Sequence, residues 1–169
     1  MFGTIFAVHL NNCIGRNRIV NAPLHKVSAL DTQLEGDGRK RNDMTHILLL
    51  VGYRPLRHAL NATLRRTGWQ VDLAQTDQET LQALDRQPYD VIVVDMDMAT
   101  GDSRRVLRAL RTLPNPPPVV ALMNPESPSI PGATTLGACV ILYKTVGRQA
   151  LLNGIQTALQ ASSSEAYEE

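Results

Sequence analysis

Val91-Ile92-Val93-Val94-Asp95 sets four β-branched residues in a row and closes them with one carboxylate. An apolar run without alternation fits a strand buried on both faces, the place of a central strand in a parallel sheet. Open α/β sheets carry their chemistry in the crevice at the carboxyl ends of such strands. Asp95 therefore falls where a reacting group, or the residue left of one, is expected.

Outward from this run, strands and helices alternate. Ile47-Leu48-Leu49-Leu50-Val51 reads as a second strand, and Gln70-Val71-Asp72-Leu73-Ala74 alternates like a short one. Between them Pro55 suits a first helical turn, Leu56, Leu60 and Leu64 form an apolar stripe, and Gly68 marks the helix end. Thr76 with Glu79 has the spacing of a capping box, at the head of a helix carrying Leu81 and Leu84. A helix from about Ser103 to Leu113 puts Val106, Leu107 and Leu110 on one face. Val119–Met123 and Cys139–Tyr143 read as strands, and a last helix runs from about Gly147 to Leu159. This alternation implies βαβ units and an α/β fold, a doubly wound parallel sheet with both faces covered. Pro125, Pro128 and Pro131 interrupt the stretch where a fourth helix belongs. A proline ring lacks a donor and clashes with the preceding turn, so this helix is expected to be shortened or missing, with one turn at most around Ala133–Leu136.

The 169 residues suffice for one domain with a real core. Residues 1–44 share none of the periodicity and are expected to form a flexible N-terminal extension, with a misassigned start or a partner-binding arm as alternatives; Met44 would make a natural first residue. The Ser- and Glu-rich stretch 161–169 is expected to be a disordered tail. With 17 basic and 16 acidic side chains, nothing global points to nucleic acid, and Arg65-Arg66, Arg104-Arg105 and Arg39-Lys40-Arg41 read as solvated surface. Met1–Val8 is too short and lacks the flanks of a signal peptide, and no stretch approaches the roughly twenty apolar residues of a membrane span. Cys13 and Cys139 lie far apart without metal spacing, and Cys139 reads as a buried small hydrophobe. A soluble, cytoplasmic protein is expected. His9, His25, His46 and His58 are scattered without ligand spacing, Trp69 reads as packing at a strand entrance, and no nucleophile elbow, phosphate-binding glycine loop or zinc pattern is present.

The strand ending at Asp95, Met98 three residues on, Gly137-Ala138 before the fifth strand, and Lys144 closing that strand with Val146 after it together resemble the receiver domain of bacterial two-component response regulators. The resemblance covers residues 45–160 and implies a flavodoxin-like sheet in the order 2-1-3-4-5. It further implies that Asp95 stands at the phosphoacceptor position and Lys144 at that of the phosphate-contacting lysine. The remaining positions depart from the pattern. The acidic pair that holds magnesium in that family falls on Gly52 and Tyr53, the hydroxyl residue on Met123, and the aromatic switch on Ile141. Ala99 and Thr145 replace the usual prolines, and Ser103 a usual glycine.

Phosphoryl transfer rests on positioning and on neutralising charge over the transferring oxygens. Magnesium dehydrates reluctantly and needs near-octahedral oxygen ligands, so Asp95 and Asp97 are a thin set. Asp97 is expected to turn away from Asp95, and the Tyr53 ring to cover the vacated pocket. Asp95 and Lys144 then read as a structural ion pair, and the domain as a degenerate receiver that is not an enzyme, holds no cofactor and signals without aspartyl phosphorylation. Its expected partners are proteins: a histidine kinase, another receiver, an output domain or a second copy, met through the face of the fifth strand and last helix. Membrane and nucleic acid are not expected partners. Two alternatives stay open: a working phosphoacceptor, with Asp95 phosphorylated by a histidine kinase in the presence of Mg2+, and a small-molecule binder in the same crevice.

Overall fold

The computed structural model describes residues 44–127, 133 and 135–164. The elements in chain order are β1 (His46–Leu50), α1 (Arg54–Arg65), β2 (Gln70–Ala74), α2 (Asp77–Arg86), β3 (Val91–Asp95), α3 (Asp102–Leu110), β4 (Val119–Met123), β5 (Val140–Tyr143) and α4 (Arg148–Ser164). The strands form one parallel sheet in the order β2-β1-β3-β4-β5, the doubly wound order expected from the sequence.

The apolar runs split by parity between two cores, because successive side chains of a strand point to opposite faces. Ile47, Leu49, Val91, Val93, Val120, Leu122, Val140 and Leu142 pack on one side with α1 and α4. Leu48, Leu50, Ile92, Val94, Ala121, Met123 and Ile141 pack on the other with α3. A run with no polar position is what two buried faces require. Register then fixes the site. Asp95 pairs with Leu122 and Met123 with Tyr143, so the carboxyl ends of β3, β4 and β5 finish side by side.

The helix ends follow their local chemistry. Pro55 stands in the first turn of α1. Thr76 caps α2, its hydroxyl accepting the Glu79 amide at 3.2 Å, while the Glu79 carboxylate reaches back to the Gln75 amide at 2.7 Å, one residue before the cap. Gly154 lets α4 lie close on β5: a Cβ there would stand 2.7 Å from Leu142 Cδ1. Trp69 packs against the α1–α4 side of the core, and Cys139 is buried there.

Two expectations need adjustment, and two lie largely outside the described residues. The last helix continues to Ser164, so the disordered tail expected over 161–169 is helical in its first four residues; 165–169 lie outside the described residues. The third helix starts at Asp102 and closes at Leu110, with Arg111–Leu113 turned off it. The expected extension over 1–44 lies outside the described residues except for Met44, which is exposed. Most of the interval for the shortened helix, 128–132 and 134, lies outside them too. No described helix is long and apolar enough to cross a membrane.

Candidate functional site

β3 ends on Asp95 because its apolar run stops there, and β5 ends one residue before Lys144. The two side chains meet over the carboxyl edge of the sheet. Lys144 Nζ stands 2.6 Å from Asp95 Oδ1, which also accepts the Asp97 amide at 3.0 Å. Asp95 is 3% exposed, so its charge has lost nearly all its water and depends on these partners. The Ser103 hydroxyl donates to the Asp95 carbonyl oxygen and fixes the start of α3 beneath the turn.

Asp97 does not turn away. Its Oδ2 lies 3.1 Å from Lys144 Nζ and accepts the Asn124 amide at 2.6 Å. The ammonium is therefore clasped between two carboxylates, one from the strand end and one from the following turn. Burial works to raise the Asp97 pKa, but hydrogen bonds from the Ser127 hydroxyl, the Asn124 amide and Lys144 outweigh it and hold the carboxyl below its usual range. Burial likewise works to lower the Lys144 pKa, and the bonds to Asp95 and Asp97 reverse this and hold it above the usual lysine value. Asp97 also ties the turn after β3 to the loop after β4.

The other positions bring no ligand. Gly52 has no side chain, and a Cβ there would come 3.1 Å from Met98 Cε, so the thioether occupies the direction a carboxylate would take. Tyr53, expected to cover the vacated pocket, is 67% exposed and walls the cleft without filling it, and Met98 lies against the Gly52 corner. Met123 is fully buried beside Ile141 in the α3-side core, so neither offers a hydroxyl or an aromatic ring to the surface. Magnesium does not fit this donor set. Two carboxylates are present, both engaged by Lys144, and among the described residues no cluster of three or more His, Cys, Asp or Glu side chains is placed to hold a metal.

A cleft of about 610 Å³ opens above these groups, walled by Tyr53, Leu56 and Met98 and by Gln75, Thr100 and Asn124. Its floor can hold an ion pair and exchange hydrogen bonds with a visitor.

Two features were missed from the sequence. Arg57 is only 7% exposed and donates from Nη1 to the Val51 and Gly52 carbonyl oxygens at 2.9 and 3.2 Å, which brings a guanidinium to the carboxyl end of β1. The signal was its place three and seven residues before Leu60 and Leu64, on the buried stripe. At the opposite end of the sheet, Asp72 Oδ2 accepts from Gln87 Nε2 at 2.6 Å and the Tyr89 hydroxyl at 2.8 Å, and lies 3.1 Å from His46 Nε2. Burial pushes the Tyr89 phenol above its usual pKa. These side chains come from three separate stretches, and this network closes the amino edge of the sheet.

A family model described as the response regulator receiver domain matches residues 53–156. The chain is 27% identical over 119 residues to transcriptional regulatory protein GlrR of Escherichia coli (strain K12), across 70% of this chain and 27% of that protein. It thus spans about a quarter of the length of the curated relatives it matches. Among solved structures, it is similar to a CheY-like receiver domain protein from Methanospirillum hungatei JF-1, with TM-score 0.66 and 18% identity over 72% of this chain and 98% of the other. It is also similar to the chemotaxis response regulator CheY4 of Vibrio cholerae, with TM-score 0.62 and 24% identity over 68% and 98%. At these identities the structures speak for the fold.

Proposed function

Because the chain belongs to the response regulator receiver domain family, we propose that it signals by docking protein partners and not by accepting a phosphoryl group on Asp95. One observation carries this reading: the Lys144 ammonium is clasped by Asp95 and Asp97, while Gly52, Tyr53 and Met123 stand where that family holds its metal and its switch hydroxyl. A phosphoryl donor approaching Asp95 would meet a second anion at Asp97, with Lys144 already engaged by both and no divalent ion to spread the charge. The core and the site are set by different residues, so the fold persists without the chemistry. The docking face proposed is that of β5 and α4. On α4 the exposed Gln149, Asn153, Gln156 and Gln160 are uncharged, and Leu152 and Leu159 are half-buried between them and the core. The partner is a histidine kinase, another receiver or an output domain.

Incubation with acetyl phosphate and magnesium, followed by intact-mass measurement, tests this. No phosphoryl adduct is expected. An adduct on the wild type that disappears in Asp95→Asn would overturn the proposal and establish a working phosphoacceptor, in which Asp97 serves as the second carboxylate.

A further inference from the structure

We propose that the α2–α3 face is a self-complementary surface that pairs two copies of this chain. α2 and α3 lie side by side, joined by an ion pair of 3.3 Å between Arg105 Nη1 and Asp77 Oδ2. Their outward sides carry opposite charge. α2 presents Asp77, Glu79 and Asp85 against one arginine, Arg86. α3 presents Arg104, Arg105 and Arg108, and its one acid, Asp102, is buried. Arg108 and Asp85 are exposed and have no ion-pair or hydrogen-bond partner among the described residues.

The seam between the helices is incompletely covered. α2 buries only Thr80 in full, and Leu81 is half-buried yet belongs to neither core. Leu81 and Asp85 follow Asp77 at four and eight residues, so they share the side of α2 that meets α3. A two-fold axis running along the helices and between them sets each α2 across from its mate's α3, acid against base twice over, with Leu81 meeting its copy near the axis. An axis across the helices would oppose like charges instead, which fixes the orientation. This face is distinct from that of β5 and α4.

The occupant is a second copy because both halves of the complementarity are on one chain and adjacent. With helices about 15 Å long and about 10 Å apart, each protomer offers roughly 300 Å², well under the ~800 Å² of a standard interface. The dimer is therefore weak and in rapid exchange, and salt screens it because its charges are exposed.

Sedimentation equilibrium of the full chain from micromolar to millimolar concentration, at low and high salt, tests the pairing. Reversible dimerisation at low salt is expected, weakened about tenfold or more by Arg108→Glu or by Asp85→Arg. Combining both reversals in one chain is expected to restore it, because positions 85 and 108 again carry opposite charges across the interface, with their signs exchanged. Circular dichroism and melting of each variant should match the wild type, as both positions are exposed. A chain that stays monomeric at low salt overturns the proposal. So does a dimer untouched by the single reversals, or a double reversal that recovers nothing.

Discussion

Lys144→Met is expected to lower the stability of the domain by about 3 kcal/mol, the lower end of what breaking a buried pair costs. The substitution leaves the buried Asp95 carboxylate with the Asp97 backbone amide as its one hydrogen-bond donor among the described residues, and a second carboxylate beside it with no cation between them. The lower end applies because Lys144 and Asp97 keep some contact with water, at 17% and 16% exposure. For a domain of this size the melting temperature should fall by about 10 °C. Asp95→Asn should cost less, since Lys144 retains Asp97. Asp95→Asn combined with Lys144→Met should recover part of the loss of Lys144→Met alone, the mark of direct coupling. The pH profile carries a second signature. The folded Lys144 pKa is raised, so its contribution is complete below the usual lysine value near 10.4 and is lost as pH climbs through the folded value. The folded Asp97 pKa is lowered, so its contribution is present above the usual aspartate value near 3.9 and fades as pH drops through the folded value. Melts across pH should show a plateau between these limits, with the alkaline limb absent in Lys144→Met. A variant that melts with the wild type at every pH would show that the clasp contributes nothing.

Writing carboxylates back into the corner now taken by Met98 should create a magnesium response that the wild type lacks. Gly52→Asp with Tyr53→Asp supplies two further oxygens-bearing side chains at the positions where the receiver pattern carries its acidic pair. A Cβ at 52 meets Met98 Cε at 3.1 Å, and the flexible thioether can swing aside. Without metal, the added charges repel Asp95 and Asp97 and the variant should melt below the wild type. Magnesium at ten times its dissociation constant would return about 1.4 kcal/mol, a rise of a few degrees. The wild type should show no magnesium-dependent shift. A shift of equal size in both proteins would mean that the native donor set already binds the ion.

The fold was legible because it rests on local patterns that agree with one another. The unbroken apolar runs at Ile47–Val51 and Val91–Val94 announced strands with two buried faces, and both runs divide between the two cores. The pairing of Asp95 with Lys144 came from the resemblance to the receiver pattern, and the sheet accounts for it, since β3 ends on Asp95 and β5 ends one residue before Lys144 on the same edge. What stayed hidden depended on where side chains turn after the backbone is placed. Nothing in Asp95-Met96-Asp97 tells whether the second carboxylate faces the lysine; the Asn124 amide and the Ser127 hydroxyl, nearly thirty residues on, decide it. Tyr53 was expected to cover the pocket; it stands at the N-cap of α1 and walls the cleft, 67% exposed, while Met98 lies against the Gly52 corner. The end of α4, to Ser164, escaped because serines are weak helix formers and the run 161–164 carries no apolar stripe to announce a helix.

Crystals soaked with magnesium and beryllofluoride, a mimic of an acyl phosphate, examine the proposed silence of the site most directly. The expected map shows Lys144 Nζ between Asp95 and Asp97, as in the free chain, with no density joined to Asp95. A beryllofluoride group bonded through beryllium to an Asp95 carboxylate oxygen, beside an ion with a complete oxygen shell, would contradict it.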